Sequence, residues 1–212
     1  QYSVHLVVQQ RPIHLPDLLK LLHYGVAFFE VTQRGGARQR GDPLAVQIIR
    51  PVDGAPDLQA PITIAEDDVD MLRGSRSRLH VGVTLNRETA LLLALMSSEN
   101  RAAHALARHY PGGLGAFVAA MNAKAQSLGM LHTRFEDPTG LSSNNVSTAH
   151  DLARMVSAAY RYPLIRGWST TSEATVDVSG RELAFRNTNP LVKNPSWDVG
   201  LSKTGYIHEA GK

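Results

Sequence analysis

Two short stretches of the 212-residue chain carry residue types that could do chemistry together. The first is Ser97-Ser98-Glu99-Asn100, two hydroxyls, a carboxylate and a carboxamide in a row. The second is Lys203-Thr204-Gly205, inside the run "GLSKTGY". An ammonium beside a hydroxyl on a strand edge suits an anionic ligand, and a glycine next to them leaves room for the ligand's backbone. A carboxamide offers the donor and the acceptor that a peptide group needs. Each stretch alone also has a plain structural use. Lys-Thr-Gly can end a solvated strand, and Ser97 or Ser98 can cap a helix, worth about 1 kcal/mol.

The elements around the two stretches decide whether they can meet. An almost wholly apolar helix, "RETALLLALM", precedes Ser97, with Asn86 as its expected cap. A helix of that composition is buried, so its end delivers polar groups to an interior wall or a cleft. A second helix is expected over "ENRAAHALARHY", stopping at Pro111-Gly112-Gly113, and a third over "LGAFVAAMNAKAQSLG", with Gly129 at its end. Thr148 and Asp151 form a capping pair for "AHDLARMVSAAY". A short strand running into an acidic stretch is expected at "ITIAEDDVD", a half-buried strand at "SRLHVGVTL", where Leu79, Val81, Val83 and Leu85 alternate, and strands and turns at "ATVDVSG", "RELAFRNTN" and "WDVGLSKTGY". Before Pro51, "HLPDLLKLLHYGVAFFEV" reads as a short helix and a strand, and "TQRGGARQRGDP" as a loop.

Composition narrows the function classes. Hydrophobic residues at 43% and charged residues at 19% describe an ordinary globular protein. A formal charge of +3 without a basic block argues against nucleic acid as a partner. The absence of cysteine excludes disulfides, thiolate metal sites and a cysteine nucleophile. No apolar run reaches membrane-spanning length, and the start "QYSVHLVVQQRPIH" lacks the order of a signal peptide. The nine histidines offer no obvious acid–base partner: His104 and His109 read as surface or satisfied core residues, and Trp168 and Trp197 as packing residues.

The pairing of Ser98-Glu99-Asn100 with a Lys-Thr-Gly strand about a hundred residues later is the second and third part of the motif set of serine penicillin-binding proteins and β-lactamases. The chain resembles that family well beyond the motifs. "LLLALMSSENRAAHALARHYPGG", "AFVAAMNAKAQSLGM", "TRFEDPTGLSSNNVSTAHDLARM", "FRNTNPLV" and "KTGY" are similar to the D-alanyl-D-alanine endopeptidases and carboxypeptidases of low molecular mass. The likeness covers about Val52 to Lys212. It implies a transpeptidase-like α/β (α+β) fold, an antiparallel sheet flanked by helices with an inserted helical region, incomplete at both ends.

The resemblance also implies roles. Ser98 would shuttle a proton toward the leaving amine, Asn100 would hold the amide of the stem peptide, Lys203 would set the electrostatics of the cleft, and Thr204 would bind the terminal carboxylate or its counterpart in a cross-link. Gly205 would leave space for the substrate. It implies peptidoglycan stem peptides and cross-links as substrates, β-lactams as ligands once a nucleophile is present, no metal or organic cofactor, and a periplasmic location.

The family's first motif, Ser-x-x-Lys, supplies the attacking hydroxyl and its base. No serine of this chain has lysine at the third following position; Ser98 has Arg101 there, and arginine does not deprotonate in proteins. The motif is expected near "RGDPLAV", and residues 1–51 do not resemble the family. The nucleophile is therefore unknown. Three accounts fit: residues 1–51 replace the true nucleophile segment, the chain is a divergent member that binds wall peptide or a partner without cleaving, or another residue has taken over catalysis.

Overall fold

The computed structural model describes residues 5–9 and 57–205. The expected helix, strand and loop between residues 14 and 43, and the segment "RGDPLAV", lie outside them. The described elements run β1 (His5–Gln9), β2 (Pro61–Thr63), a 3-10 turn (Glu66–Asp68), β3 (Thr84–Asn86), α1 (Arg87–Met96), α2 (Asn100–Arg108), α3 (Gly113–Ser127), α4 (Ala149–Ala159), α5 (Pro163–Ser169), β4 (Glu173–Val178), β5 (Arg181–Arg186), a second 3-10 turn (Pro190–Lys193) and β6 (Val199–Thr204). No helix among the described residues is long and apolar enough to cross a membrane.

The helix α1 is the centre of the molecule because nearly every side chain in it is apolar. Asn86 starts it by accepting a 2.8 Å hydrogen bond from the Thr89 N–H, and Leu91, Leu93 and Met96 are almost fully buried. Each such side chain stabilises the fold by about 1.5–3 kcal/mol relative to exposure. The neighbouring α2 buries mostly alanines, Ala102, Ala103, Ala105 and Ala107, whose small side chains let it lie close against α1 and α3. On another side α1 packs against α5, which in turn packs against β6. That chain of contacts brings the C-terminal strand to the end of the central helix.

The expected caps hold. Thr148 accepts from the Asp151 N–H at 3.2 Å and opens α4. Asp151 is itself fully buried, and its carboxylate accepts from the His132 N–H and the Thr133 hydroxyl, tying the segment after α3 to α4. Gly129 ends the α3 region at φ +72, a left-handed conformation that favours glycine.

The described strands form three antiparallel pairs: β1 with β6, β2 with β3, and β4 with β5. In the first, the register pairs Leu6 with Lys203 and Val7 with Ser202. The third is a hairpin turned at Ser179-Gly180, both at positive φ as a two-residue turn of this type requires. One expectation needs correction. "SRLHVGVTL" is not one strand: only its end joins β3, because Gly82 at φ +87 and a turn from the Val83 N–H to the His80 carbonyl break it, leaving Val81 exposed. The segment at Pro163–Ser169, to which the sequence assigned no element, is helical, with Pro163 pre-set for the first turn.

Candidate active site

The end of α1 makes the turn that presents the first stretch. The Leu93 carbonyl accepts from the Ser97 N–H at 3.1 Å, the Ser97 hydroxyl at 2.9 Å and the Glu99 N–H at 3.2 Å. Between them Ser98 lies at φ +54, a left-handed conformation costing a non-glycine residue roughly 1 kcal/mol or more. The reading of Ser97 or Ser98 as a cap is corrected: the N-cap of α2 is Glu99, and neither serine bonds the start of that helix. Ser97 turns back onto α1, which frees Ser98 to face elsewhere.

Ser98 faces Lys203. The Lys203 ammonium donates to the Ser98 hydroxyl at 2.7 Å, across 105 residues of sequence, and to the Thr204 carbonyl at 3.3 Å. The lysine is only 7% exposed, and burial pulls its pKa from the ordinary 10.5 down to about 8. A cation that is easily discharged thus sits on the oxygen of a serine. This pair can pass a proton to or from a third group bound beside it.

The segment Asn187-Thr188-Asn189 holds the rest of the strand in place. Asn189 donates from Nδ2 to the Ser202 hydroxyl at 3.0 Å, Asn187 donates to the Ser169 and Thr171 carbonyls, and the Thr188 N–H reaches the Met96 carbonyl at 3.4 Å. Three elements, α1, α5 and β6, are stitched together by one short run of amides. The hydroxyls of Thr188 and Thr204 are hydrogen-bonded to each other. Gly205 follows as a buried residue at the end of the described strand.

Of the residues singled out in the sequence, Ser98 and Lys203 are in direct contact, with Thr204 adjoining. Asn100 opens α2 two residues after Ser98, and its own side-chain partner is Ser75, at 3.2 Å. Glu99 turns into the protein, where burial raises its pKa against the opposing hydrogen bonds of Ser77 and the Arg101 N–H and the charges of Arg101 and Arg78. Arg101 also points away, donating to the Leu79 carbonyl at 2.9 Å.

Sequence reasoning gave no role to Thr188, Ser75 or Asp70, although Thr188 and Asp70 lay inside quoted stretches. It also left His104 without a partner. In the structure His104 Nδ1 lies 2.7 Å from Asp68, whose side chain is fully buried and also receives Arg108. Trp168 packs against the core, whereas Trp197 is 43% exposed and is not a packing residue. Among the described residues no group of three histidines or carboxylates could hold a metal ion.

Solved structures share this arrangement of helices and strands. A D-alanyl-D-alanine carboxypeptidase from Mycobacterium tuberculosis superposes with a TM-score of 0.62 at 29% identity, over 72% of this chain and 58% of that one. A Streptomyces DD-transpeptidase gives 0.66 at 26% identity, over 76% of this chain and 66% of that one. The fold is thus the transpeptidase-like α+β architecture of penicillin-binding proteins. The D-alanyl-D-alanine carboxypeptidase family model matches residues 52–212, and the chain belongs to that family of serine peptidases. It is 52% identical over 162 residues to a D-alanyl-D-alanine endopeptidase of Pseudomonas aeruginosa, covering 76% of this chain and 52% of the relative. With the D-alanyl-D-alanine endopeptidase of Escherichia coli the identity is 54% over 142 residues, covering 66% of this chain and 46% of the relative. The chain therefore spans about half the length of these relatives.

Proposed function

We propose that this chain carries the substrate-binding and leaving-group side of a serine D,D-peptidase site, acting on stem peptides and cross-links of peptidoglycan in the periplasm. The observation that carries the reading is the 2.7 Å hydrogen bond from Lys203 to Ser98. In the reaction a serine hydroxyl attacks the D-alanine carbonyl, its proton passes to a base, the C–N bond breaks, and the leaving amine takes up a proton; water then hydrolyses the acyl ester. Ser98 delivers the proton to the amine, with Lys203 beside it as the group that can lend and recover charge. Asn100 holds the peptide amide. Thr204 receives the carboxylate or the cross-link that follows the scissile bond, and Gly205 leaves room for it.

The attacking serine and its base are a separate pair, and the 212 residues contain no Ser-x-x-Lys. Bond cleavage needs that pair; binding does not. In the chain as written the same groups act as a non-catalytic binding site for wall peptide. Titration of the labelled chain with a D-alanyl-D-alanine-terminated peptide should give weak binding centred on Ser98, Asn100 and Lys203. Lys203→Met or Asn100→Ala should weaken it by roughly tenfold, the loss of one hydrogen bond to a charged or fully engaged group. Equal affinity in the wild type and both variants would contradict the assignment.

A further inference from the structure

Ser98 keeps a backbone conformation that its type does not favour. At φ +54 the Cβ crowds the following carbonyl, which is why glycine is the usual residue in this conformation after a helix. Something in the fold must hold a serine there. Both flanks of Ser98 are tied to one atom, since the Leu93 carbonyl accepts from the Ser97 N–H at 3.1 Å and from the Glu99 N–H at 3.2 Å. The Ser97 bond is the ordinary end of a helix. The Glu99 side has an anchor of its own.

Glu99 is only 9% exposed, and its carboxyl meets the Ser77 hydroxyl and the Arg101 N–H, with the charges of Arg101 and Arg78 close by. These partners are themselves fixed. The loop that carries Ser77 is closed at its start by Asp70, which accepts from the Leu72, Arg73 and Ser75 N–H groups at 2.9, 3.0 and 2.9 Å. The Ser77 oxygen accepts from the Leu79 N–H at 2.9 Å, which leaves its single proton to donate to Glu99. The Leu79 side chain is fully buried, and its carbonyl accepts from Arg101 at 2.9 Å. Arg78 lies over the ring of buried Phe185, 3.8 Å from its centre, and donates to the Ala184 carbonyl.

Two groups could hold the Ser98 backbone, Lys203 and Glu99. Lys203 carries its ammonium on a flexible four-carbon stem, which can follow a hydroxyl through several backbone conformations, so the bond to Ser98 constrains the main chain little. Glu99 has no such freedom. Rotating Ser98 out of the left-handed region would pull the adjoining carboxyl off its donors, and a buried carboxyl without donors is costly. We infer that Glu99 is a positioning residue for Ser98: its buried side chain, anchored on the loop at Ser77–Leu79, holds Ser98 in the left-handed conformation and so keeps the hydroxyl on Lys203. This deepens the function proposed above and rests on it for what the hydroxyl meets, but the hold itself belongs to the free protein.

The test has two arms on the full chain. In the ¹⁵N,¹³C-labelled protein, a residue at positive φ shows a strong contact between its own N–H and Hα. Ser98 should show it in the wild type, in Glu99→Gln, whose carbonyl oxygen still accepts from Ser77 and Arg101, and in Lys203→Met. Glu99→Met, with a similar reach and no strong acceptor, should lose it together with the contact between Ser98 Hβ and Lys203 Hε. Ser77→Ala, which removes one donor and leaves the turn itself unaltered, should shift the same Ser98 signals in the same direction by less. A left-handed Ser98 in Glu99→Met, or its loss in Lys203→Met with Glu99 intact, would overturn the inference. In the second arm, a D-alanyl-D-alanine peptide should bind Glu99→Met roughly fivefold more weakly than the wild type and Glu99→Gln within about twofold of it. Equal binding to all three would overturn the link from Glu99 to the site. No binding to the wild type, with the Ser98 contacts as expected, would remove the proposed substrate while confirming the hold.

Discussion

At the scale of single residues, Lys203 concentrates the energetics of the site. Its ammonium is buried beside a neutral hydroxyl and a carbonyl, with no carboxylate paired to it among the described residues. Burial lowers its pKa from 10.5 to about 8, so the folded protein holds this proton more weakly than the unfolded chain does. Below pH 8 both states are protonated and the full cost of burying the charge is present. Between pH 8 and 10.5 the unfolded chain binds more protons, and the contribution of this group to stability rises with pH. Lys203→Met removes the charge, so its stability advantage over wild type should shrink across that window, by up to about 3 kcal/mol. Urea melts of both proteins at pH 7 and pH 10 measure it; a constant difference would show that the lysine titrates normally.

The meeting of Ser98 and Lys203 was legible because each sits in a short motif at a recognisable place, a helix end and a strand edge. Ser75 and Asp70 were not. They reach Asn100 across 25 residues through a loop with no periodicity, and a lone serine or aspartate in a loop carries no signal of what it touches. Thr188 was hidden for the same reason, since its partner Thr204 lies 16 residues away on another element.

At the scale of elements, helices were read well and strands less so. Asn86, Thr148 and Gly129 mark helix ends with side chains or backbone freedom that act locally, so sequence alone locates them. The alternation from Leu79 to Leu85 promised a long strand, but burial of alternate residues can also be met by a bent loop, and Gly82 supplies the bend. The short helix α5 escaped because its seven residues are too few to show a helical period.

The link between the first 3-10 turn and α2 was equally invisible. Asp68 anchors it by accepting from Arg108 Nη2 at 2.8 Å, from the Ala65 N–H at 2.7 Å and by pairing with His104. Desolvation alone would raise its pKa; the bonds from His104, Arg108 and Ala65 win and lower it to about 2. Asp68→Asn leaves Arg108 half-buried without its counterion and should destabilise the fold by about 3 kcal/mol, read as a lower midpoint in chemical denaturation. A loss below about 1 kcal/mol would mean that the turn is held by its apolar neighbours instead.

At the scale of the whole molecule, folding brings together what the chain keeps apart. Ser98 lies on the first half of the helical layer and Lys203 on the last described strand, and α5 and the Asn187–Asn189 run are the parts that close the distance. Family likeness made this meeting legible in advance, since the order of the motifs is itself a statement about the fold. The source of the attacking hydroxyl was not legible: the expected position of Ser-x-x-Lys falls on residues that neither resemble the family nor lie among those described.

The proposed function makes substrate binding and bond cleavage separable, with Ser98, Asn100 and Lys203 on the binding side and no Ser-x-x-Lys among the 212 residues. A general base alone is typically worth roughly 10²- to 10⁴-fold in rate, and here Ser98 accepts from Lys203 while Arg101 is turned away. Intact-mass spectrometry after incubation with a penicillin tests this most directly. The account predicts no penicilloyl adduct on the 212-residue chain, and an adduct once a family-type Ser-x-x-Lys segment is restored before Asp53. A mass gain on the unaltered chain, mapped to Ser98 or any other serine, would contradict it.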